Sequence, residues 1–225
     1  KMGKRFPEFV VNPSDIVRDY GADTLRLYEM FMGPLEVSKP WSKSGVDGAR
    51  KFLNRVWNFF AESGNITETN DNKLTRDYHQ TVKKVTSDFE ALAFNTAISQ
   101  MMIFVNAAYK NGSCPKEYAE GFVKMISCIC PHIGEELWQE LGHEGSIAYE
   151  AWPVHSEELA KSDTVQIPVQ VNGKKRDVIE VGADEPADVV KAKVMESAAV
   201  QQAIAGKNIA MEKYVPGRIY TIVVK

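Results

Sequence analysis

At about residue 160 the hydrophobic pattern of this chain changes period, and that change limits what it can fold into. Before it, apolar residues recur three and four apart. Val46, Ala49, Phe52, Leu53, Val56, Trp57 and Phe60 mark one face of an amphipathic helix over about 45–62. After it, "TVQIPVQVNGKKRDVIEV" alternates on either side of Asn172-Gly173, the strongest short-range signal for a tight hairpin. One repeating architecture cannot satisfy both periods. The expectation is a mainly α helical bundle followed by a small α+β domain.

The punctuation supports this. Asn12-Pro13-Ser14-Asp15 reads as a helix start, with a capping side chain, proline in the first turn and an acid at the positive helix end. Gly21 ends that helix. A second, about 23–32, is apolar on nearly every side and is expected to be buried; Gly33-Pro34 stops it, and 34–44 is irregular. Polar residues 63–73 form a loop, and helices follow over 74–88 and 90–110 until Asn111-Gly112-Ser113. Pro115 opens another helix that Pro131 ends or kinks, and "PHIGEELWQELG" adds one or two turns. Short loops between helices make a bundle. In the tail, Glu185-Pro186 opens a helix of about 186–205 and Pro216-Gly217 turns a second strand pair, giving β-β-α-β-β. The expected divisions are 1–44 (leading loop and connecting helices), 45–155 (bundle), 156–164 (linker) and 165–225 (terminal α+β domain).

No apolar run approaches the ~20 residues that span a bilayer, so no membrane role is expected. Residue 1 is a lysine, and a longer parent chain is the expectation. Cys114, Cys128 and Cys130 fit no disulfide framework and suit a reducing cytoplasm. Cys128 and Cys130, two apart, would face opposite ways on a helix, so no metal is expected and the three are read as buried structural cysteines. The net charge of −3 hides an asymmetry: 164–225 carries nine Lys/Arg against seven Asp/Glu, whereas 1–163 carries eighteen against twenty-three. A mildly basic tail on an acidic body permits a phosphate-binding face.

Three groups of residues bear on chemistry. Lys1 and Lys4 flank Met2-Gly3 and precede Arg5, so two ammonium groups and a pliable glycine could meet a polyphosphate; a solvated basic terminus is the plainer reading of these five alone. Lys174-Lys175-Arg176 follow the Asn-Gly turn, Arg218 follows the Pro-Gly turn, and Lys207 and Lys213 lie near in sequence. Such cations would hold nucleic-acid phosphates, or form an ordinary solvated hairpin. Trp41, Trp57, Trp138 and Trp152 could stack bases, but their settings favour packing. His132-Ile133-Gly134 precedes Glu135 inside a helical run, and His132 is read as structural.

The ordered elements "KMGKR", "VVNPSDIVRDYGADTLRLYEMFMGPLE", "KPWS", Arg55-Val56-Trp57, "ALAFNTAISQMMIFVNAAYK", "PHIGEELWQELG", "AWPV", "VQVNGK" and "VPGRIYTIVV" run through the whole chain. In that order they resemble the C-terminal part of bacterial-type leucyl-tRNA synthetases. The family's lysine loop reads Lys-Met-Ser-Lys-Ser; Gly3 and Arg5 replace its two serines here, which bears on loop hydrogen bonds rather than on the lysines. Sister enzymes for isoleucine and valine often end in a cysteine-rich zinc segment or a coiled coil, and 165–225 has neither.

The resemblance implies a parent that activates leucine with ATP and magnesium and transfers it to leucine tRNA in the cytoplasm, as a monomer. Lys4 would touch the ATP phosphates, Lys1 would support the closed loop, and Met2, Gly3 and Arg5 would complete it. The bundle would bind the anticodon arm side of the tRNA, with Lys51, Arg55, Lys83 and Lys84 along the stem. The terminal domain would reach the tRNA elbow through Lys174, Lys175, Arg176, Lys207, Lys213 and Arg218. Without a nucleotide fold the fragment would bind no cofactor and be inactive alone. A free-standing RNA-binding module without catalysis, or a protein-interaction scaffold built on the bundle, are the alternatives.

Overall fold

A computed structural model describes residues 10–161, 164–182 and 185–225. The chain divides into two compact units between Ala160 and Lys161.

The first unit is helical. Asn12 accepts a hydrogen bond from the backbone N–H of Ser14 and starts α1 (Pro13–Tyr20). Gly21, at φ 89°, ends α1 and begins α2 (Ala22–Phe31). Only one side of α2 is buried, through Asp23, Thr24, Leu27 and Tyr28. Arg26, Glu29 and Phe31 are exposed, which corrects the expectation of a helix buried all round. Ser42 caps α3 (Lys43–Trp57), which runs on as a π-helical turn, Asn58–Glu62. The wider turn brings Phe59 into the core beside Phe60, although the amphipathic stripe includes only Phe60.

Next come β1 (Ile66–Thr67), α4 (Thr75–Glu90), α5 (Phe94–Asn111), β2 (Cys114–Pro115, parallel to β1), α6 (Lys116–Ser127) and α7 (Pro131–Glu140). Gly112 ends α5 in the left-handed conformation at φ 80°, as the Asn-Gly-Ser signal suggests. Proline at the first position starts α7 as a separate ten-residue helix, longer than the one or two turns read from sequence. All seven helices contribute to one core, with Leu27, Phe59, Phe104, Phe122, Met125 and Leu137 fully buried and α1 packed on it through Ile16 and Tyr20. Close crossings need glycine. A Cβ at Gly134 would stand 2.8 Å from the Cα of Ser127 on α6, and one at Gly121 would meet the Tyr78 hydroxyl.

Residues 152–160 lie along one face of α4. Trp152 Nε1 donates to Thr86 Oγ1 (2.8 Å), Ser156 N to His79 Nδ1 (3.2 Å), Lys83 pairs with Glu157 (2.6 Å) and Gln80 Nε2 donates to the Ala160 carbonyl (2.9 Å). The first half of the expected linker is therefore fixed to the helical unit.

The second unit is a four-stranded sheet with two helices. Strands β3 (Thr164–Val171), β4 (Lys174–Gly182), β5 (Ile209–Val215) and β6 (Ile219–Val224) lie in the order β4-β3-β6-β5, with β3 and β6 parallel and the outer pairs antiparallel. Asn172 (φ 49°) and Gly173 (φ 76°) form the predicted two-residue turn. The single helix expected over 186–205 is two, α8 (Ala187–Glu196) and α9 (Ala198–Ile204). Ser197 breaks it: its backbone is extended, and its Oγ accepts from Val200 N to cap α9. Ile167, Val169, Val171, Val181, Tyr220, Ile222 and Val224 meet Val190, Val194 and Val200 in a separate core.

Candidate nucleic-acid interface

Strand pairing decides which tail cations come together. Val171 pairs with Lys174 across the turn and with Ile222 on β6, while Ile209 pairs with Val224. Asn172 fastens this end: its amide donates to the Val224 carbonyl (3.1 Å) and accepts from Val224 N (2.9 Å). Asn208 and Lys225 exchange two backbone hydrogen bonds at 2.9 and 3.0 Å. Lys174, Lys175, Arg176, Lys207 and Lys225 are thus gathered at one end of the sheet, all exposed. Lys225 is an addition that the sequence reading missed, because only the β5–β6 register reveals its neighbours. Arg218 does not belong to the group. It sits beyond the opposite end of β6, about 20 Å away at ~3.4 Å per residue. Lys213 lies mid-strand on the edge strand β5, opposite Thr221.

Three carboxylates of this unit are engaged elsewhere. Asp177 accepts from Ser197 Oγ, which with the bond from Val178 N holds its pKa below the usual carboxylate range. Lys193 does the same for Glu185 (2.7 Å), and Glu212 is paired with Lys191. Lys174, Lys175, Arg176 and Lys213 have no carboxylate partner among the described residues. A cationic sheet end free of internal neutralisation is what a polyanion requires.

The cations of the helical unit differ in their freedom. Lys83 and Lys84 are paired with Glu157 and Asp88. Arg55 is held open: its Nη2 donates to Asn106 Oδ1 (2.8 Å) and its guanidinium lies 4.9 Å from the centre of the Tyr109 ring. Lys51 is exposed on the same helix, one turn earlier.

His132 is structural. Its Nδ1 lies 2.8 Å from Asp23 Oδ1, and Asp23 Oδ2 accepts from Ile133 N (2.7 Å), so a buried carboxylate of α2 caps α7. The four tryptophans pack in or on the core; Trp138 is buried and stacked on His143, and Trp41 sets its ring against Tyr28. Cys114 and Cys130 are buried, and burial pushes the Cys114 thiol up to about 12. Cys128 is exposed, contrary to the sequence reading, because it follows the last turn of α6. Among the described residues no group of three or more His, Cys, Asp or Glu could hold a metal, and no helix is long and apolar enough to cross a membrane. Lys1, Met2, Gly3, Lys4 and Arg5, the predicted ATP-binding and catalytic loop, lie outside the described residues.

Residues 71–191, more than half of the chain, match the family model described as the anticodon-binding domain of tRNA ligase. The chain belongs to that family. The match begins just before α4 and ends within α8. A similar solved structure, the ternary complex of Agrobacterium radiobacter K84 agnB2 LeuRS–tRNA–LeuAMS, shares 26% identity with a TM-score of 0.78. The likeness covers 100% of this chain and 32% of that one, so the chain spans about a third of the length of that relative.

Proposed function

We propose that the chain is the tRNA-binding C-terminal part of a leucyl-tRNA synthetase, in which a longer protein activates leucine and transfers it to leucine tRNA in the cytoplasm. The observation that carries this reading is the likeness to a LeuRS bound to tRNA across the full chain, helical unit and terminal sheet alike. The leucyl assignment also draws on the terminal unit itself: a cysteine-free β-β-α-α-β-β unit is neither a zinc segment nor a coiled coil. Its cationic end supplies phosphate contacts, and Arg55, pre-set by Asn106 and Tyr109, supplies another on the helices.

ATP with magnesium belongs to the longer protein in this reading, where it supplies the activated phosphate. From this chain Lys1 and Lys4 would neutralise phosphate charge, with Met2, Gly3 and Arg5 shaping the loop between and after them. Among the described residues there is no doubly wound parallel sheet to hold a nucleotide, so the chain by itself is expected to be inactive. Competition tests the reading. A labelled leucine tRNA bound to the chain should be displaced by unlabelled leucine tRNA at lower concentration than by a tRNA for another amino acid. Equal displacement would remove the leucine assignment, and leucine-dependent exchange of pyrophosphate into ATP by the chain alone would contradict its expected inactivity.

A further inference from the structure

Beyond a β-bulge at Arg176, Gln170 pairs with Lys175 and Val171 with Lys174, and the two strands meet in the turn Asn172-Gly173. Both turn residues are exposed. Asn-Gly is the pair in which an asparagine side chain is most open to attack by its own main chain, because glycine sets no side chain beside the attacking nitrogen. A Cβ at Gly173 would have nothing within 4 Å, so the space around it is open. Gly173 N donates no hydrogen bond among the described residues.

The chain holds a second such pair, Asn111-Gly112, and there the fold is protective. Gly112 N donates to the Ala108 carbonyl (2.9 Å) where it ends α5, and Asn111 Nδ2 donates to the Ser113 carbonyl (3.0 Å). Asn172 is restrained differently. Its backbone N donates to the Ile222 carbonyl (2.9 Å), after which its side chain continues the ladder along β6. Oδ1 accepts from Val224 N (2.9 Å) and Nδ2 donates to the Val224 carbonyl (3.1 Å), so the amide stands in for a peptide group of β3. Attack on Cγ makes that planar amide tetrahedral and expels Nδ2, so both bonds must be given up.

We propose that Asn172 is a site of self-catalysed deamidation and that its clamp on Val224 sets the rate. Hydroxide takes the Gly173 N–H proton, and the nitrogen attacks Asn172 Cγ. The Cγ–Nδ2 bond breaks, the side-chain nitrogen leaves as ammonia with a proton from water, and a five-membered succinimide remains. Water then opens the ring at either carbonyl. One opening gives aspartate, the other isoaspartate, in which the main chain runs through the side chain; nothing is oxidised or reduced. Lys174, Lys175 and Arg176 follow directly, exposed. Their charge favours the anionic nitrogen and the oxyanion at Cγ. The product turns a carboxylate toward the Val224 carbonyl and sets a negative charge beside those cations. Isoaspartate also adds a backbone carbon to a turn whose register depends on having two residues.

The test is incubation of the full chain at mildly alkaline pH, followed by peptide mass spectrometry, with Asn111 and the urea-unfolded chain as references. In the folded chain Asn172 should convert to aspartate and isoaspartate while Asn111 stays intact; in urea both should convert. Val224 gives no hydrogen bond to β5, because the rung there belongs to Asn208 and Lys225. Val224→Pro therefore removes the donor to Asn172 alone and should speed conversion about fivefold, the factor that one hydrogen bond is worth. If that variant unfolds the sheet, hydrogen exchange of the Val224 amide in the parent reports the opening of the clamp, and conversion should rise in step with it as mild urea is added. Asn172 intact in the folded chain while it converts in urea, or equal conversion of Asn172 and Asn111, would overturn the site. Conversion indifferent to Val224→Pro or to the opening of the clamp would overturn the part given to Val224.

Discussion

Asp23 shows how much of this fold hangs on single side chains. From α2 it reaches a helix start more than a hundred residues later, where it caps α7 and orients His132. Arg26, one turn on, donates to the Ile129 carbonyl in the approach to the same helix (2.7 Å). Replacing Asp23 with Ala removes the cap from the His132 and Ile133 N–H groups, a loss of about 1–2 kcal/mol; urea unfolding should show a lower midpoint for the variant. A pH dependence follows from His79. Burial lowers its pKa, and its Nδ1 must be unprotonated to accept from Ser156 N. The unfolded chain, with an ordinary histidine near 6.5, takes up the proton first. Stability should therefore fall as pH drops below about 6.5 and level off once the native histidine is also protonated. Thermal unfolding across that range tests this, and His79→Gln should flatten the limb. Neither contact was legible in sequence. Gly-Ala-Asp and Pro-His-Ile mark a helix start each, but nothing local says that one acid serves the other helix.

At the scale of elements, local chemistry was the better guide. Asn12-Pro13, Gly112, Pro131, Asn172-Gly173 and Pro216-Gly217 mark boundaries that the structure keeps, because each constrains its own backbone whatever surrounds it. Elements went astray where tertiary packing decides. The π-helical end of α3 buries two consecutive phenylalanines, and no periodic template contains that turn. The bulge at Arg176 depends on a partner strand and reverses the face of Lys175. The break at Ser197 had a weak local signal, a serine before Ala-Ala-Val, within a run otherwise suited to one helix. Ser197→Ala should cost about 1 kcal/mol through loss of the α9 cap. It should also restore the Asp177 pKa toward the ordinary range, since the Ser197 hydroxyl is the largest cause of its lowering; carboxylate titration by NMR would show both the rise and its size.

At the scale of the whole molecule, the change of period near 160 foreshadowed two kinds of structure, and the chain has two cores that share no residue. Composition could not go further. The near-balance of charge in the tail conceals a segregation that only the fold produces, with three carboxylates engaged by Lys191, Lys193 and Ser197 and exposed cations gathered at one end of the sheet. Three of the six predicted tRNA-contacting cations are consecutive in sequence; Lys207 joins them through strand pairing, Lys213 lies mid-strand on β5, and Arg218 is left at the other end. On the function proposed above, this charge pattern makes the chain a binder of leucine tRNA. The most direct measurement is the affinity of the intact chain for a leucine tRNA transcript across a salt series. Binding at low salt should fall linearly on a log–log plot, with a slope corresponding to several phosphate contacts. No binding at low salt, or an affinity indifferent to salt, would contradict it.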